Sequence, residues 1–499
     1  MGLKNILRST SGCTRGEKML KPEEIYAFIQ DDITSERKRL ANIGRRYYDG
    51  KHDILNYRLF YYNSDGQLVE DKTRSNIKIS HPFFTELVDQ CVQYMLSSKE
   101  SIVLSDDSDL QDLLDTYFDS DFKCELSDTV TDVCKNGFGY MYAYKNSNNK
   151  TSFVYADAMG VVEVRAKDTD DHTEYVIYWY VDRIDKGQKK IKRIQIWDKT
   201  QVTYFVQVND GRIEFDKEEP INPRPHIIYS KDKEEGTFGD SLGYIPFFRI
   251  DNNRRQTSHL APIKALIDDY DLMACGLSNN LQDVSEALYV VKGFQGDNLE
   301  ELVQNLKVKK RIGVDENGDV DIKTIDIPVA ARQAKLDIDE KNIYRFGMGF
   351  NSAQIGDGNV TNVVIRSRYA LLDLKCNKLE AHLRAFLKRL AIIALTEINE
   401  QNGTDYSLSD IYFDLPREIM TNAIDNAQIE KTKAETKQIE TTTILNLLSQ
   451  VPTQQARQDL CSIMGWDYTA IKDDFPENAE DAMASTNNAL QMLNGVVPE

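Results

Sequence analysis

The feature that most constrains the fold of this chain is an uninterrupted helical pattern of nearly forty residues, which ends at about Asn399. Apolar side chains recur at helical spacing along one face of this segment, at Leu372, Leu379, Leu383, Phe386, Leu390 and Ile393. At 1.5 Å per residue, such a helix is roughly 55–60 Å long. A helix of this length exceeds the core of a typical globular domain, so the pattern predicts a structural strut.

Two other periodicities divide the rest of the chain. Helical spacing predicts an amphipathic helix over 22–48, another near 123–136 that ends at Gly137, and a long helix over 260–284. Between 138 and 230 the pattern changes to period two, with aromatic and β-branched runs separated by Asn, Asp and Gly. This region predicts an antiparallel meander or sandwich of about five to seven strands. Helices on both sides of a β region indicate the α+β class with segregated layers.

A compact unit with a short helix between strands is predicted over 286–327. Its run Asp315-Glu-Asn-Gly-Asp-Val-Asp321 superficially resembles a calcium-binding loop, but the glycine stands at the fourth position rather than the sixth, and no Glu stands at the twelfth. Because the run lies between two β segments, we interpret residues 315–318 as an Asn-Gly hairpin turn.

Charge and composition exclude several classes of function. The chain has 61 basic and 80 acidic residues and a net charge of −19, whereas proteins that wrap nucleic acid are usually basic. Its seven cysteines form no CxxC pair, which favours reduced thiols over a disulfide framework or a zinc site. The six histidines are isolated, which indicates core or surface roles, and no acid cluster or nucleophile–base pair points to an enzyme. Without a long apolar run, we expect a soluble protein of the cytoplasm.

The long helix is locally basic. Residues 361–400 carry seven basic and four acidic side chains in an otherwise acidic chain. Ion pairs with a neighbouring element are one interpretation, and pairing with another subunit or contact with a passing polyanion are the others. The preceding segment, Gly347–Thr361, contains several Gly and Asn residues and is longer than most connections inside a compact domain, which indicates a functional loop.

Several stretches between residues 47 and 400 follow one another in an order and at lengths that are shared with one protein family. They are Tyr47–Ile54, Asn76–Ile79, Leu87–Leu96, Gly243–Phe247, Pro262–Asp271, Ser278–Asp283, Ala287–Gly293, and the loop Gly356–Thr361 that leads to Leu372 and Lys375. In this combination the chain resembles the tailed-bacteriophage portal proteins of the SPP1-like (Gp6-like) type. The tail beyond residue 418 matches only in its polar, helical character.

The resemblance implies a portal fold with a helical and β wing, a helical stem, a small α/β clip, a long channel-lining helix and a helical crown. The expected segments are 1–21 as a flexible N-terminal arm, 22–255 as the wing, 256–285 as a stem helix, 286–330 as the clip, 331–346 as the second stem helix, 347–361 as the tunnel loop, 362–417 as the long helix that returns to the wing, and 418–499 as the crown.

The resemblance also implies a function. We expect a ring, usually of about twelve subunits, at one vertex of the capsid, assembled in the host cytoplasm and retained in the virion. Double-stranded DNA would pass through the ring during packaging and ejection. The terminase large subunit, the head-completion adaptor, and the major capsid and scaffolding proteins would bind it. The alternative is another helical virion scaffold, or a head–tail adaptor without a DNA channel.

Specific residues are expected along the path of the DNA, again from the resemblance. In the tunnel loop and at the start of the long helix they are Asn351, Gln354, Asn359 and Asn362. Along the channel helix they are the basic residues Arg366, Arg368 and Lys375. From the residue spacing, we expect no catalytic residue, no metal and no cofactor.

Overall fold

The computed structural model describes residues 20–63, 65–72, 74–97, 101–146, 150–166, 172–185, 189–230, 237–283, 288–294, 314–323, 328–351, 362–417, 423–447 and 453–472. The chain divides into two compact units. One unit is Met1–Ile355 with Arg368–Ile419, and the other is Gly356–Ser367 with Met420–Glu499.

The described residues form both helices and antiparallel strands, in agreement with the predicted α+β class. The helices are α1 (Pro22–Thr34), α2 (Glu36–Tyr48), α3 (Phe83–Met95), α4 (Ser108–Asp115), α5 (Ser120–Asn136), α6 (Lys264–Asp283), α7 (Val329–Gly347), α8 (Asn362–Asn402), α9 (Ala423–Leu447), α10 (Thr453–Met464) and α11 (Tyr468–Ile471). The strands are β1 (Phe60–Tyr62), β2 (Leu68–Glu70), β3 (Val103–Leu104), β4 (Phe138–Lys145), β5 (Thr151–Ala156), β6 (Val161–Arg165), β7 (Thr173–Asp185), β8 (Lys189–Trp197), β9 (Gln201–Val208), β10 (Ile213–Phe215), β11 (Arg224–Pro225), β12 (Ile227–Ser230), β13 (Thr237–Asp240), β14 (Phe247–Asp251), β15 (Leu288–Phe294), β16 (Val314–Lys323) and β17 (Tyr412–Phe413).

The first helical region is broken where the sequence predicted one helix over 22–48. Ser35 leaves the helical conformation, with φ −59° and ψ 147°. Its hydroxyl donates to the carbonyl of Asp32 (2.6 Å) and accepts from the N–H of Lys38 (3.3 Å), so it closes α1 and caps α2. The prediction of a single helix is wrong because the apolar period continues through the cap. Helix α5, by contrast, ends as predicted at Gly137, which is left-handed with a φ of 93°.

Strands β6 to β10 form an antiparallel meander in the order β10-β9-β8-β7-β6, with β11 paired to β9. A separate three-stranded antiparallel sheet has the order β14-β4-β5. The predicted antiparallel arrangement of residues 138–230 is therefore confirmed. The predicted number of five to seven strands is too low, since the described part of this range contains the nine strands β4 to β12. Strand β14, which lies beyond that range, completes the smaller sheet.

Both faces of the meander are buried, which explains its apolar side chains at successive positions. Ile177 packs in one cluster with Ile25 and Ile29 of α1. The preceding residue, Val176, packs in another cluster with Phe138 of the smaller sheet. Because successive side chains of a strand point to opposite faces, one face of the meander is covered by α1 and the other by the smaller sheet. Each fully buried side chain of this size contributes about 1.5–3 kcal/mol to folding.

Strands β15 and β16 form an antiparallel pair, and β16 continues through the predicted hairpin turn. Residues on both sides of 315–318 pair with the same strand, since Asp319 faces Lys292 and Val314 faces Phe294. The predicted turn is wrong because these residues form an irregular step in register instead of reversing the chain. The predicted helix near 297–306 lies outside the described residues.

The helices that follow the β region match the predicted pattern. Helix α6 corresponds to the predicted helix over 260–284 and packs against α7. Lys335 of α7 pairs with Asp269 of α6 at 2.6 Å. The prediction of one helix of about forty residues is confirmed by α8, which has 41 residues.

In the second unit, α9 packs against α10. The side chains described between residues 430 and 440 of α9 are exposed, and neighbouring Glu and Lys residues pair along the helix, as at Glu430 and Lys433 (2.8 Å). The polar, helical character predicted for the tail is confirmed for these residues. None of the described helices carries an apolar stretch of membrane-spanning length.

Candidate functional site

Residues Gly347–Asn351, which we call the loop anchor, lead from the end of α7 into the loop predicted to face DNA. Met348 is left-handed, with a φ of 55°. Its N–H donates to the carbonyl of Arg345 (3.3 Å), and the N–H of Gly349 donates to the carbonyl of Tyr344 (3.0 Å). These bonds satisfy the last carbonyl groups of α7, so the chain leaves the helix in a defined direction.

One side chain of α3 holds the backbone of the loop anchor. The Oε1 of Gln90 accepts from the N–H of Phe350 (3.2 Å), and its Nε2 donates to the carbonyl of Phe350 (2.9 Å). The same amide nitrogen donates to Glu86 (3.0 Å). The side-chain amide of Gln90 therefore bonds to both the N–H and the carbonyl of Phe350, as the backbone of an adjacent β-strand does. Gln90 was not among the residues predicted from the sequence, although it lies within the stretch Leu87–Leu96 on which the resemblance rests.

Further contacts connect the loop anchor to its surroundings. The hydroxyl of Tyr344 donates to Glu86 at 2.5 Å, and burial together with this bond raises the pKa of Tyr344. The side-chain amide of Asn351 donates to Glu340 on α7. The ring of Phe350 lies against Tyr369 of α8, with 4.7 Å between the ring centroids.

The two glycines of the loop anchor allow α7 to end directly on α3. A Cβ at Gly347 would lie 2.6 Å from a methyl carbon of Leu87, and a Cβ at Gly349 would lie 2.2 Å from the other. At either distance the buried side chain of Leu87 would have to shift. The Gly-Met-Gly sequence is thus explained by close packing.

Lys375 was predicted to face DNA, but its ammonium group lies inside this chain. The side chain is buried, and Nζ donates to the carbonyl of Gly347 at 3.0 Å. A cation at the C-terminal end of a helix is favourable because the carbonyl dipoles there carry partial negative charge. Lys375 therefore connects α8 to the end of α7 instead of presenting its charge on a free surface.

The other predicted DNA-facing residues are placed as follows. Asn351 is partly buried in the loop anchor, and Arg366 is exposed on α8. Asn362 and Arg368 lie on α8, whereas Gln354 and Asn359 lie outside the described residues.

Other basic residues of α8 bind within the chain. Arg384 donates to Glu380 (2.7 Å) and to the carbonyl of Phe413 (2.6 Å), and Arg389 donates to the carbonyl of Arg249. Arg384 and Arg389 thus reach neighbouring elements through backbone carbonyls, whereas the ion pair of Arg384 lies within α8.

Two histidines that are far apart in the sequence converge on one buried carboxylate. Asp271 of α6 lies 2.6 Å from Nδ1 of His52 and 2.7 Å from Nδ1 of His81. Burial alone would raise the pKa of Asp271, but the hydrogen bonds from both histidines lower it. Tyr47 stacks on His52 and donates to Asp268. Of the two roles predicted for the histidines, core or surface, His52 has the core role. Sequence spacing did not reveal the shared carboxylate that joins α6 to the N-terminal segment.

The packed helices α6 and α7, the loop anchor and the very long helix α8 follow one another along the chain. Proteins of similar sequence belong to one known family. The family of phage portal proteins of the SPP1 Gp6-like type matches residues 26–460. The chain belongs to this family. It is similar to the portal protein of Bacillus phage SPP1, with 28% identity over 347 residues that cover 69% of this chain and 67% of that protein. The portal protein of Clostridium phage phiCD119 is 26% identical over 434 residues, covering 82% and 88%.

The resemblance inferred from the sequence is therefore confirmed. Portal proteins are structural components of phage virions, and membership implies an oligomeric ring that is associated with the capsid. The matched range begins in α1 and ends in α10, so it includes the loop anchor, Gln90 and Lys375.

Proposed function

We propose that this portal protein forms the ring at a single capsid vertex through which double-stranded DNA is packaged and later ejected. The family match along residues 26–460 carries the proposal. The ring has about twelve subunits related by one repeated interface that closes on itself. It assembles in the host cytoplasm with the major capsid and scaffolding proteins and remains in the virion.

The described elements support an assignment of segments. Residues 22–255 form the wing, and α6 with α7 forms the stem. The clip, 286–330, contains the β15–β16 pair, and it docks the terminase large subunit during packaging and the head-completion adaptor afterwards. A two-stranded pair is marginally stable in water, so strands from neighbouring subunits would complete it in the ring. Residues 418–499 form the crown.

The loop between α7 and α8 is the proposed contact with DNA. The loop anchor fixes its first residues, and the bonds from Gln90 support a defined starting point for a loop that reaches into the channel. Of the residues predicted to face DNA, we exclude Lys375 because it is buried. We retain the other six, which are Asn351, Gln354, Asn359, Asn362, Arg366 and Arg368.

The acidic charge of the chain favours movement of DNA through the ring over tight binding of DNA. About twelve chains at −19 each would give a ring a formal charge of roughly −230. Strong neutralisation of phosphates would hold DNA in place, whereas acidic walls with a few polar contacts let it slide in either direction.

Ring formation is the first test. We expect native mass spectrometry and negative-stain images of the full-length protein to show closed rings of about a dozen chains with a central hole. Rods or open filaments would support the helical scaffold alternative, and a ring without a hole would support an adaptor without a DNA channel.

The loop is tested separately by restricting its backbone. Gly358→Pro fixes φ at one position of the predicted tunnel loop. We expect this variant to form rings like the wild type but to protect several-fold less DNA from nuclease in a capsid-packaging reaction. Normal packaging by intact Gly358→Pro rings would contradict a role of the tunnel loop in DNA passage and leave the ring proposal unaffected.

A further inference from the structure

A cluster of metal-ligating side chains lies in the core of the first unit. The Sγ atoms of Cys91 and Cys134 and a ring nitrogen of His259 all lie within 4.8 Å of one another. The Sγ of Cys376 lies 3.7 Å from the Sγ of Cys91. All three cysteines are fully buried free thiols. They come from α3, α5 and α8, and His259 precedes α6, so four separate segments meet here.

His259 is held in the orientation that a metal ligand requires. Its Nε2 bonds to the side-chain oxygen of Asn252 at 3.0 Å, and Asn252 is itself oriented by a bond to the carbonyl of Thr257 (2.7 Å). The backbone N–H of His259 donates to the carbonyl of Cys134 (2.9 Å). Within the described residues, its buried Nδ1 has no hydrogen-bond partner. Metal-bound histidines share this pattern, in which one ring nitrogen bonds to a neighbouring oxygen and the other is free to ligate.

We propose that Cys91, Cys134 and His259, with Cys376 as the fourth ligand, form a closed structural site for a thiophilic divalent cation, and that the cation is Zn²⁺. Structural zinc sites are tetrahedral and are commonly built from cysteine and histidine. Zinc–sulfur bonds of about 2.3 Å place two sulfurs of a tetrahedron about 3.8 Å apart, close to the 3.7 Å between Cys91 and Cys376.

The charge of the surroundings also fits. Three thiolates, one neutral imidazole and one Zn²⁺ carry a net charge of −1. Buried charge is tolerated when it is paired. Lys375 is buried next to Cys376 in the sequence, and its positive charge acts on all three thiols and on His259. Lys375 therefore offsets the charge of the occupied site.

The proposal revises the expectation that the cysteines of this chain bind no zinc. The ligands are spread from residue 91 to residue 376, so no short sequence motif predicts the site. In the folded chain the metal joins α3, α5 and α8 with the segment that leads into α6. The site has no open position, so it stabilises the fold and carries out no chemistry.

Metal content is the decisive measurement. We expect the full-length protein, purified without chelators from cells supplied with zinc, to hold about one Zn²⁺ per chain by elemental mass spectrometry. Substitution by Co²⁺ should give thiolate-to-cobalt charge-transfer absorption and the intense visible bands of a tetrahedral site. A wild-type protein that binds neither metal, or a peptide map with a Cys91–Cys376 disulfide, would overturn the proposal.

Ligand variants locate the metal. Cys91→Ser and His259→Gln each remove one ligand, and Cys124→Ser changes an exposed cysteine of α5 as the matched control. We expect metal content to fall at least about tenfold in the ligand variants and to stay at the wild-type level in the control. Equal metal content in all three variants would contradict the assignment. If a ligand variant does not fold, the cobalt spectrum of the wild type decides.

Asn252 positions the ring of His259 and does not itself bind the metal. Its substitution therefore tests the orientation of His259 separately from the presence of the ligands. Asn252→Ala leaves all four ligands in place and removes the bond to His259. We expect the affinity for Zn²⁺, measured by competition with a chromophoric chelator, to fall about 10- to 100-fold while the metal content at saturation stays unchanged. Unchanged affinity would show that Asn252 does not position His259, whereas ligation by His259 itself is tested by His259→Gln.

Discussion

Removal of the Gln90 amide tests whether this side chain holds the loop anchor. Gln90 makes two hydrogen bonds to the backbone of Phe350, at 3.2 Å and 2.9 Å. Gln90→Leu keeps a side chain of similar size and removes both bonds. Gln93 is exposed on the same helix, so Gln93→Leu is the matched control.

The expected effect follows from the number of bonds lost. A typical hydrogen bond contributes about 0.5–1.5 kcal/mol net, so two bonds stabilise the closed anchor by about 1–3 kcal/mol. A change of 1.4 kcal/mol is a factor of ten in an equilibrium constant, which gives a roughly 5- to 150-fold change in local opening. The amide of Phe350 exchanges through such opening, so its exchange rate should rise by the same factor.

Hydrogen exchange of assembled rings, followed by mass spectrometry, measures the exchange rate around Phe350 directly. The peptide that contains Phe350 should exchange faster in Gln90→Leu than in the wild type, while peptides from the buried part of α8 serve as an internal reference. Equal exchange at Phe350 in Gln90→Leu and Gln93→Leu would refute the reasoning, because the anchor would then be held by other contacts. Packaging by the same rings reports whether the anchor matters for DNA passage.

Three further substitutions test packing, charge and burial. Gly349→Ala should lower stability by about 1–3 kcal/mol in thermal unfolding, because the added methyl overlaps a neighbouring leucine, whereas Gly276→Ala has room and should be neutral or stabilising. Asp271→Asn should destabilise the protein at pH 7. Since the folded pKa of Asp271 lies below its ordinary value, its contribution is present above about pH 4 and is lost as the pH falls further, so thermal melts of wild type and variant should converge in acid. Lys375→Met should lower the melting temperature because it removes a buried hydrogen bond. Arg366 is exposed, so Arg366→Gln should leave the melting temperature unchanged. If Arg366→Gln lowered it and Lys375→Met did not, Lys375 would again be a candidate for the DNA-facing surface.

Local spacing in the sequence determined the elements that depend on near neighbours. The apolar repeat predicted α8, and the aromatic and β-branched runs between 138 and 230 predicted the antiparallel strands. Gly137 marked the end of α5, because only a residue without a Cβ readily adopts its conformation. These patterns are visible because a side chain's partners in a helix or strand lie only a few residues away. The combination of several such stretches also identified the family.

Only the tertiary structure decided where distant residues meet. Lys375 has the same charge as Arg366 in the same helix, yet it is buried because the end of α7 lies against it. His52 and His81 share Asp271, about 200 residues away, through the packing of α6 on the N-terminal segment. The cysteine and histidine cluster arises in the same way. Contacts of this kind are set by the shapes and areas that packing buries, and no short stretch of sequence contains both partners.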